Sequence, residues 1–342
     1  MTKFKTHKKK GAAAITTAAV LALIALFGMA ACSNAAQPGT GTDGSTALPG
    51  APFVEDGASL ILSLDKLDIK VTVRTSDGTP VMVEGCEETT LTSGTETVLH
   101  AKGRLVILKG HITELRCLRN QLTALNVQGC TALQELKCGF NKLTALDVQG
   151  LTALKLLACY ENLLTELNVQ GLTALKVLEC SRNRLTELNV QDLTYLQLLQ
   201  CDRNKLTALN VQGLTALRGL RCECNQLTEL NVQGLSALQL LQCDGNKLTE
   251  LNVQGLNALQ MLECGRNRLN ADVFKKLFDD LPVRAEGDDA KCYLYIEYTG
   301  VTEGNHTNFT APPELANAFN NAKTVKKWKM YKRVILSKEV EI

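Results

Sequence analysis

Thirteen of the 342 residues are cysteines, and their spacing decides what chemistry they can do. Cys117, Cys138, Cys159, Cys180, Cys201, Cys222, Cys243 and Cys264 recur every 21 residues. A residue type repeated at one interval marks one structural position, so these thiols read as small buried hydrophobes rather than disulfide partners. A metal needs several ligands converging at short range. Single sulfurs directed inward along a stack do not converge. Cys130 fills a slot that Leu holds in other copies. Cys86 and Cys292 lie in segments far apart along the chain and are not read as a bonded pair. Cys224 departs from the repeat at an outward position, where an exposed thiol and neutral drift both stay open. His7, His100, His111 and His306 have no Ser, Cys or carboxylate at a spacing suited to general-base catalysis. Glu166, Glu187, Glu229 and Glu250 recur because the repeat does. No phosphate loop, nucleophile elbow or zinc motif is present. The expectation is therefore no enzyme activity, cofactor or metal.

The last cysteine to place is Cys32. Five lysines between Lys3 and Lys10 precede an uncharged stretch from Gly11 to Ala31, most apolar at Val20 to Phe27. This is the layout of an export signal. Met29-Ala30-Ala31-Cys32 resembles the lipobox of bacterial lipoproteins, with Met where Leu is usual. The resemblance implies lipidation of Cys32, a lipid anchor in a membrane and, with Ser33 next, outer-membrane or cell-surface placement. Ser33 to Gly50 is small and polar, a flexible spacer. Removing residues 1–31 leaves 32 of the 37 basic residues against 35 acidic ones, a net charge of −3. No nucleic-acid footprint follows from that balance.

The elements that position these residues come from the repeat. The segment L-x-x-L-x-C-x-x-N-x-L opens at Ile112, Leu133, Leu154, Leu175, Leu196, Leu217, Leu238 and Leu259. Leu136-Lys137-Cys138 alternates with period two, the sign of a strand with one buried face. No 21-residue stretch buries so many apolar groups alone, so the coils must stack and share a core. The asparagines from Asn120 to Asn267 stand where each strand bends away, suited to satisfy bent backbone groups. The glycine register from Gly129 to Gly255 predicts a turn with positive φ, with Asp192 standing in for Gly once. This pattern resembles the 21-residue, Cys-containing leucine-rich repeats of bacterial surface proteins, the internalin type. The resemblance implies a horseshoe solenoid with parallel strands on its concave face. It also implies binding of protein or glycan there.

Three outward positions vary while the core does not. They include Lys137 and Arg221, Tyr160 and Glu223, and Arg119, Phe140, Glu161, Arg182 and Arg203. These nine residues are the candidate ligand contacts. Phe140 and Tyr160 are neighbours in a chain with 4% aromatic content, and exposed aromatics anchor partners. Packing of one ring on the other is the alternative. The repeat block carries 15 basic and 14 acidic residues, so its charges can pair between coils.

The expected boundaries are a signal over 1–31, a tether over 32–52, a β-rich cap over 53–111, eight repeats over 112–270 and an α+β cap over 271–342. The first cap reads as a small β unit or an immunoglobulin-like adaptor, with a hairpin turn at Asp77-Gly78. In the second, Ala271 to Leu281 and Pro313 to Ala322 show helical spacing. Tyr293 to Tyr298 and Trp328 to Leu336 read as strands. Lys323, Lys326, Lys327, Lys329, Lys332 and Arg333 form a basic run, either a partner patch or a solvated surface. The expected function is adhesion to proteins or glycans of host or neighbouring cells, by a monomer. The alternative is a structural envelope lipoprotein without a soluble ligand.

Overall fold

The computed structural model describes residues 50–298, 300–335 and 338–342. The expected export signal, Cys32 and most of the expected tether lie outside them.

The N-terminal cap is all β. It contributes β1 (Gly57–Ile61), β2 (Asp68–Thr75), β3 (Val81–Glu84), β4 (Thr90–Leu91), β5 (Glu96–His100) and β6 (Leu105–Lys109). In β2 the alternating Ile69, Val71 and Val73 are buried while Asp68, Lys70 and Arg74 face solvent. Asp77-Gly78 is not a hairpin turn. β2 pairs with β5, whereas β3 pairs with β4 and β6 in a different sheet. The bend carries the chain between two sheets, and its polar residues suit either job.

The repeats follow as one strand per coil: β7 (Ile112–Arg116), β9 (Glu135–Lys137), β10 (Leu156–Ala158), β11 (Val177–Glu179), β12 (Leu198–Gln200), β13 (Gly219–Arg221), β14 (Leu240–Gln242) and β15 (Met261–Glu263). They pair in parallel with matching residues opposed, Leu136 to Leu157 and Leu157 to Leu178. One face of each strand supplies Leu and Cys to a continuous core, and all eight cysteines of the 21-residue series are fully buried. The other face forms the strand face. The first coil is shared with the cap. Its second strand β8 (Ala124–Asn126) pairs with β1 in the five-stranded cap sheet, and β7 pairs with β2.

Each asparagine of the column bridges two coils. Asn141 Nδ2 donates to the carbonyls of Cys117 and Cys138, both at 2.9 Å, and its Oδ1 accepts from the amides of Asn120 and Leu122 at 3.0 Å. The column ends on both caps. Asn120 exchanges hydrogen bonds with the Lys70 backbone in β2. At the far end Asn305 adds a rung, donating to Cys264 and Leu294 carbonyls. A second asparagine, replaced by Asp147 in one coil, closes the outer turn. Asn168 Oδ1, for example, accepts from the Gln170 amide at 3.0 Å, an Asx turn.

The glycine register splits in two. Gly150, Gly213 and their equivalents have positive φ in open space, and Asp192 shares their conformation at φ 67°. Gly129 does not. It is glycine because a Cβ would stand 1.8 Å from the Val54 carbonyl oxygen.

The sheet continues past the repeats. β16 (Lys291–Ile296) pairs in parallel with β15, and β17 (Lys329–Ile335) in parallel with β16. β18 (Lys338–Glu341) then turns antiparallel and ends a sheet of 13 strands. Two helices return the chain: α1 (Ala271–Asp280) and α2 (Pro313–Thr324). Asn270 caps α1 by accepting from the Val273 amide at 3.0 Å. Its buried face of Phe274, Leu277 and Phe278 meets Phe309 and Phe319. The basic run of this cap is occupied. Lys326 donates to the Phe278 and Leu281 carbonyls at the end of α1, Lys329 pairs with Asp289, Lys332 with Glu297 and Lys327 with Glu286. No described helix is long and apolar enough to cross a membrane.

Candidate functional site

The nine candidate residues all lie along the strand side of the repeats, but they form two groups. At the N-terminal end Arg119, Phe140 and Tyr160 stack in three successive coils. The Arg119 guanidinium lies 3.7 Å from the Phe140 ring centre, and the Phe140 and Tyr160 rings meet edge to face at 5.3 Å. Both rings are half-buried and Arg119 is exposed. Gly139 makes room for them, since a Cβ there would lie 3.0 Å from the Tyr160 ring. The two aromatics do pack on each other, and their remaining surface is open.

The second group is charged. Glu161 pairs with Arg182 at 3.3 Å, and Arg203 approaches Asp202 at 4.0 Å. Ser181 donates a short hydrogen bond to Asp202. Asp202, Glu223 and Asp244 occupy one position in three consecutive coils. Burial raises all three from their ordinary values. The neighbouring Asp202 and Asp244 charges push Glu223 further up, and Asp244 reaches about 7. Arg221 lies beside this row and opposes the shift of Glu223. Lys137 is engaged by Glu135 at 3.3 Å.

Two features escaped the sequence. The position held by Arg119, Phe140, Glu161, Arg182, Arg203, Cys224 and Arg266 has φ between 52° and 59°. This is the left-handed region, disfavoured for residues with a Cβ. It is held by a ladder hydrogen bond, such as Phe140 N–H to the Tyr160 carbonyl at 3.0 Å. The side chains of that column therefore leave the coil in one common direction.

The other feature corrects an expectation. The position counted as outward at Ala158, Gln200, Gln242 and Glu263 is buried in those coils. Gln242 donates to Glu263, which also accepts from Arg333 at 2.7 Å. Beside it run Leu156, Val177, Leu198, Leu240 and Met261, apolar residues on the same strand face. The residue just before the second leucine of each motif was the signal for that row.

The thiols are held inert. Burial pushes Cys117 and Cys159 up to about 12. Cys264 lies against Cys292, which is also buried. Cys86 and Cys292 are free thiols, whereas Cys224 is half-buried and disulfide-bonded, not the exposed thiol that its position suggested. Among the described residues no group of three or more His, Cys, Asp or Glu is placed to hold a metal ion. His100 pairs with Glu88 at 2.5 Å on the cap surface.

No family model and no curated protein sequence matches the chain. Solved structures do. The functional domain of InlJ from Listeria monocytogenes, which includes a cysteine ladder, is 29% identical over 54% of this chain and 49% of its own, with a TM-score of 0.41. A leucine-rich-repeat protein of Leptospira interrogans is 24% identical over 60% of this chain and 56% of its own, with a TM-score of 0.45. An internalin of Listeria monocytogenes is 17% identical over 65% and 82%, with a TM-score of 0.38. The chain spans about half the length of the first two. Its own geometry carries the assignment: 21-residue coils, inward leucines, parallel strands in register and asparagine rungs make this chain a leucine-rich-repeat solenoid.

Proposed function

We propose that the chain is a surface-exposed bacterial lipoprotein that binds a protein partner through its strand face. The observation that carries this is the Arg119–Phe140–Tyr160 stack. Three side chains able to anchor a partner are held rigid by each other, on a side of the solenoid freed from core packing. Rigid aromatics and arginines supply much of the binding energy at interfaces. The Glu161–Arg182 pair, with Arg203, Arg221 and Glu223 beside it, then sets orientation more than affinity. Cys32 is the lipid attachment point, and the partner belongs to a host or neighbouring cell, with glycans as a further ligand class. The protein acts as a monomeric scaffold rather than an enzyme. A matrix-protein and glycan array probed with the purified chain tests this reading. Saturable binding weakened at least tenfold by Phe140→Ala or Tyr160→Ala is expected. Binding indifferent to both variants, or none at all, would overturn it. Loss of palmitate labelling in Cys32→Ser tests the anchor separately.

A further inference from the structure

A recess of about 510 Å³ lies where β2 and β5 of the cap meet the first coil. Lys66, Lys70, Arg116 and Arg119 line it against only two acids, Asp68 and Glu96. Val98 and Leu118 add apolar side chains to the lining. We propose that this recess binds a carboxylate-bearing peptide segment, with Arg119 and Lys66 receiving the carboxylate. The proposal rests on the reading that the strand face receives a protein.

The cations differ in how far they are committed. Arg116 is taken by Glu114 and lies 3.8 Å from Glu135. Lys70 and Glu96 are 3.9 Å apart and both more than two-thirds exposed, so that pair holds weakly. Arg119 has no carboxylate within ion-pairing distance among the described residues. Its π face rests on Phe140, which leaves the N–H edge of the fork directed elsewhere. A guanidinium edge matches a carboxylate with two parallel hydrogen bonds. Lys66 Nζ donates to the Arg119 carbonyl at 2.7 Å, which fixes a second positive charge beside the first.

The positive φ of 59° at Arg119 holds the backbone in the conformation that presents this group. A peptide fits better than a sugar for a separate reason. Among the described residues β5 ends the 13-stranded sheet; Glu87 and Glu88 take its outer edge at His100, and no strand pairs with that edge at Glu96 and Val98. Glu96 and Val98 of that strand line the recess. An extended peptide can add along such an edge through backbone hydrogen bonds.

The test uses the full chain and fluorescein-labelled hexaglutamate, with hexaglutamine and a uronate hexasaccharide as comparators. Hexaglutamate should bind saturably and weaken as salt rises. Lys66→Gln and Arg119→Gln should each weaken it at least fivefold, while Lys247→Gln leaves it unchanged. Melting curves check that each variant is folded. Equal binding of hexaglutamine, tighter binding of the uronate, or indifference to Arg119→Gln would overturn the proposal. Array binding lost in Phe140→Ala but kept in Lys66→Gln and Arg119→Gln would sink this site and leave the wider reading standing. Hexaglutamate binding without any array partner would do the reverse.

Discussion

Gly129 approaches Val54 so closely that a Cβ on the glycine would stand 1.8 Å from the Val54 carbonyl oxygen, with the Gly57 carbonyl oxygen 3.0 Å away. That contact ties the first coil to the start of the cap. Gly129→Ala should therefore push the two apart and lower the melting temperature of the cap. Gly213→Ala has open space around it and only a φ of 82° to resist. It should cost about 1 kcal/mol. Equal losses in urea unfolding would contradict this reading of Gly129.

The asparagine column makes a sharper prediction. Asn183 Nδ2 donates to the Cys159 and Cys180 carbonyls, and its Oδ1 accepts from the Leu164 amide. Asn183→Ala leaves these buried backbone groups unpartnered and should cost about 2–4 kcal/mol. Asn183→Asp keeps the acceptor but turns oxygen toward two carbonyls. It should cost more at pH 7 than at pH 4, where the carboxyl is protonated and can donate. Urea titrations at the two pH values decide the matter.

The left-handed column predicts a gain. Arg182 sits at φ 54°, a conformation that costs a residue with a Cβ about 1–2 kcal/mol. Its pair with Glu161 is partly exposed and contributes less than about 1 kcal/mol. Arg182→Gly should raise stability slightly or leave it unchanged, and Arg182→Val should lower it. Denaturation midpoints that rank Val above Gly would refute the strain account.

The acidic row gives stability a pH dependence of definite sign. Asp244 has a folded-state pKa near 7, above its value of 3.8 in an unfolded chain. The native state therefore holds a proton that the unfolded chain releases between those values. Linkage makes this contribution favourable below about pH 4, and it is lost progressively as pH rises toward 7. Asp244→Asn should flatten that slope and raise stability at pH 7. A melting-temperature series from pH 4 to 8, unchanged by the substitution, would exclude Asp244 as the source.

Inward positions were legible because packing leaves them little choice. Leu136, Cys138 and Asn141 each serve two neighbouring coils, so the same residue types return every 21 residues. The Arg119 column was legible as variable but not as left-handed. The ladder hydrogen bond that enforces its φ tolerates Arg, Phe, Glu and Cys alike. The burial of Gln200 and Glu263 was not legible either, since a polar residue on a strand face looks the same from sequence whether paired or solvated. Asn305 escaped because it arrives 38 residues after Asn267, beyond an irregular insert, yet it occupies the next rung.

The in-register opposition of Leu136 to Leu157 and of Leu157 to Leu178 makes the coils interchangeable at their joints. Excising or duplicating any whole unit between the ends reunites surfaces that already fit, whereas loss of 20 residues would misalign every joint downstream. Such a chain can lengthen or shorten its reach by steps of about 4.8 Å through gene duplication alone, with the same two end pieces serving every length.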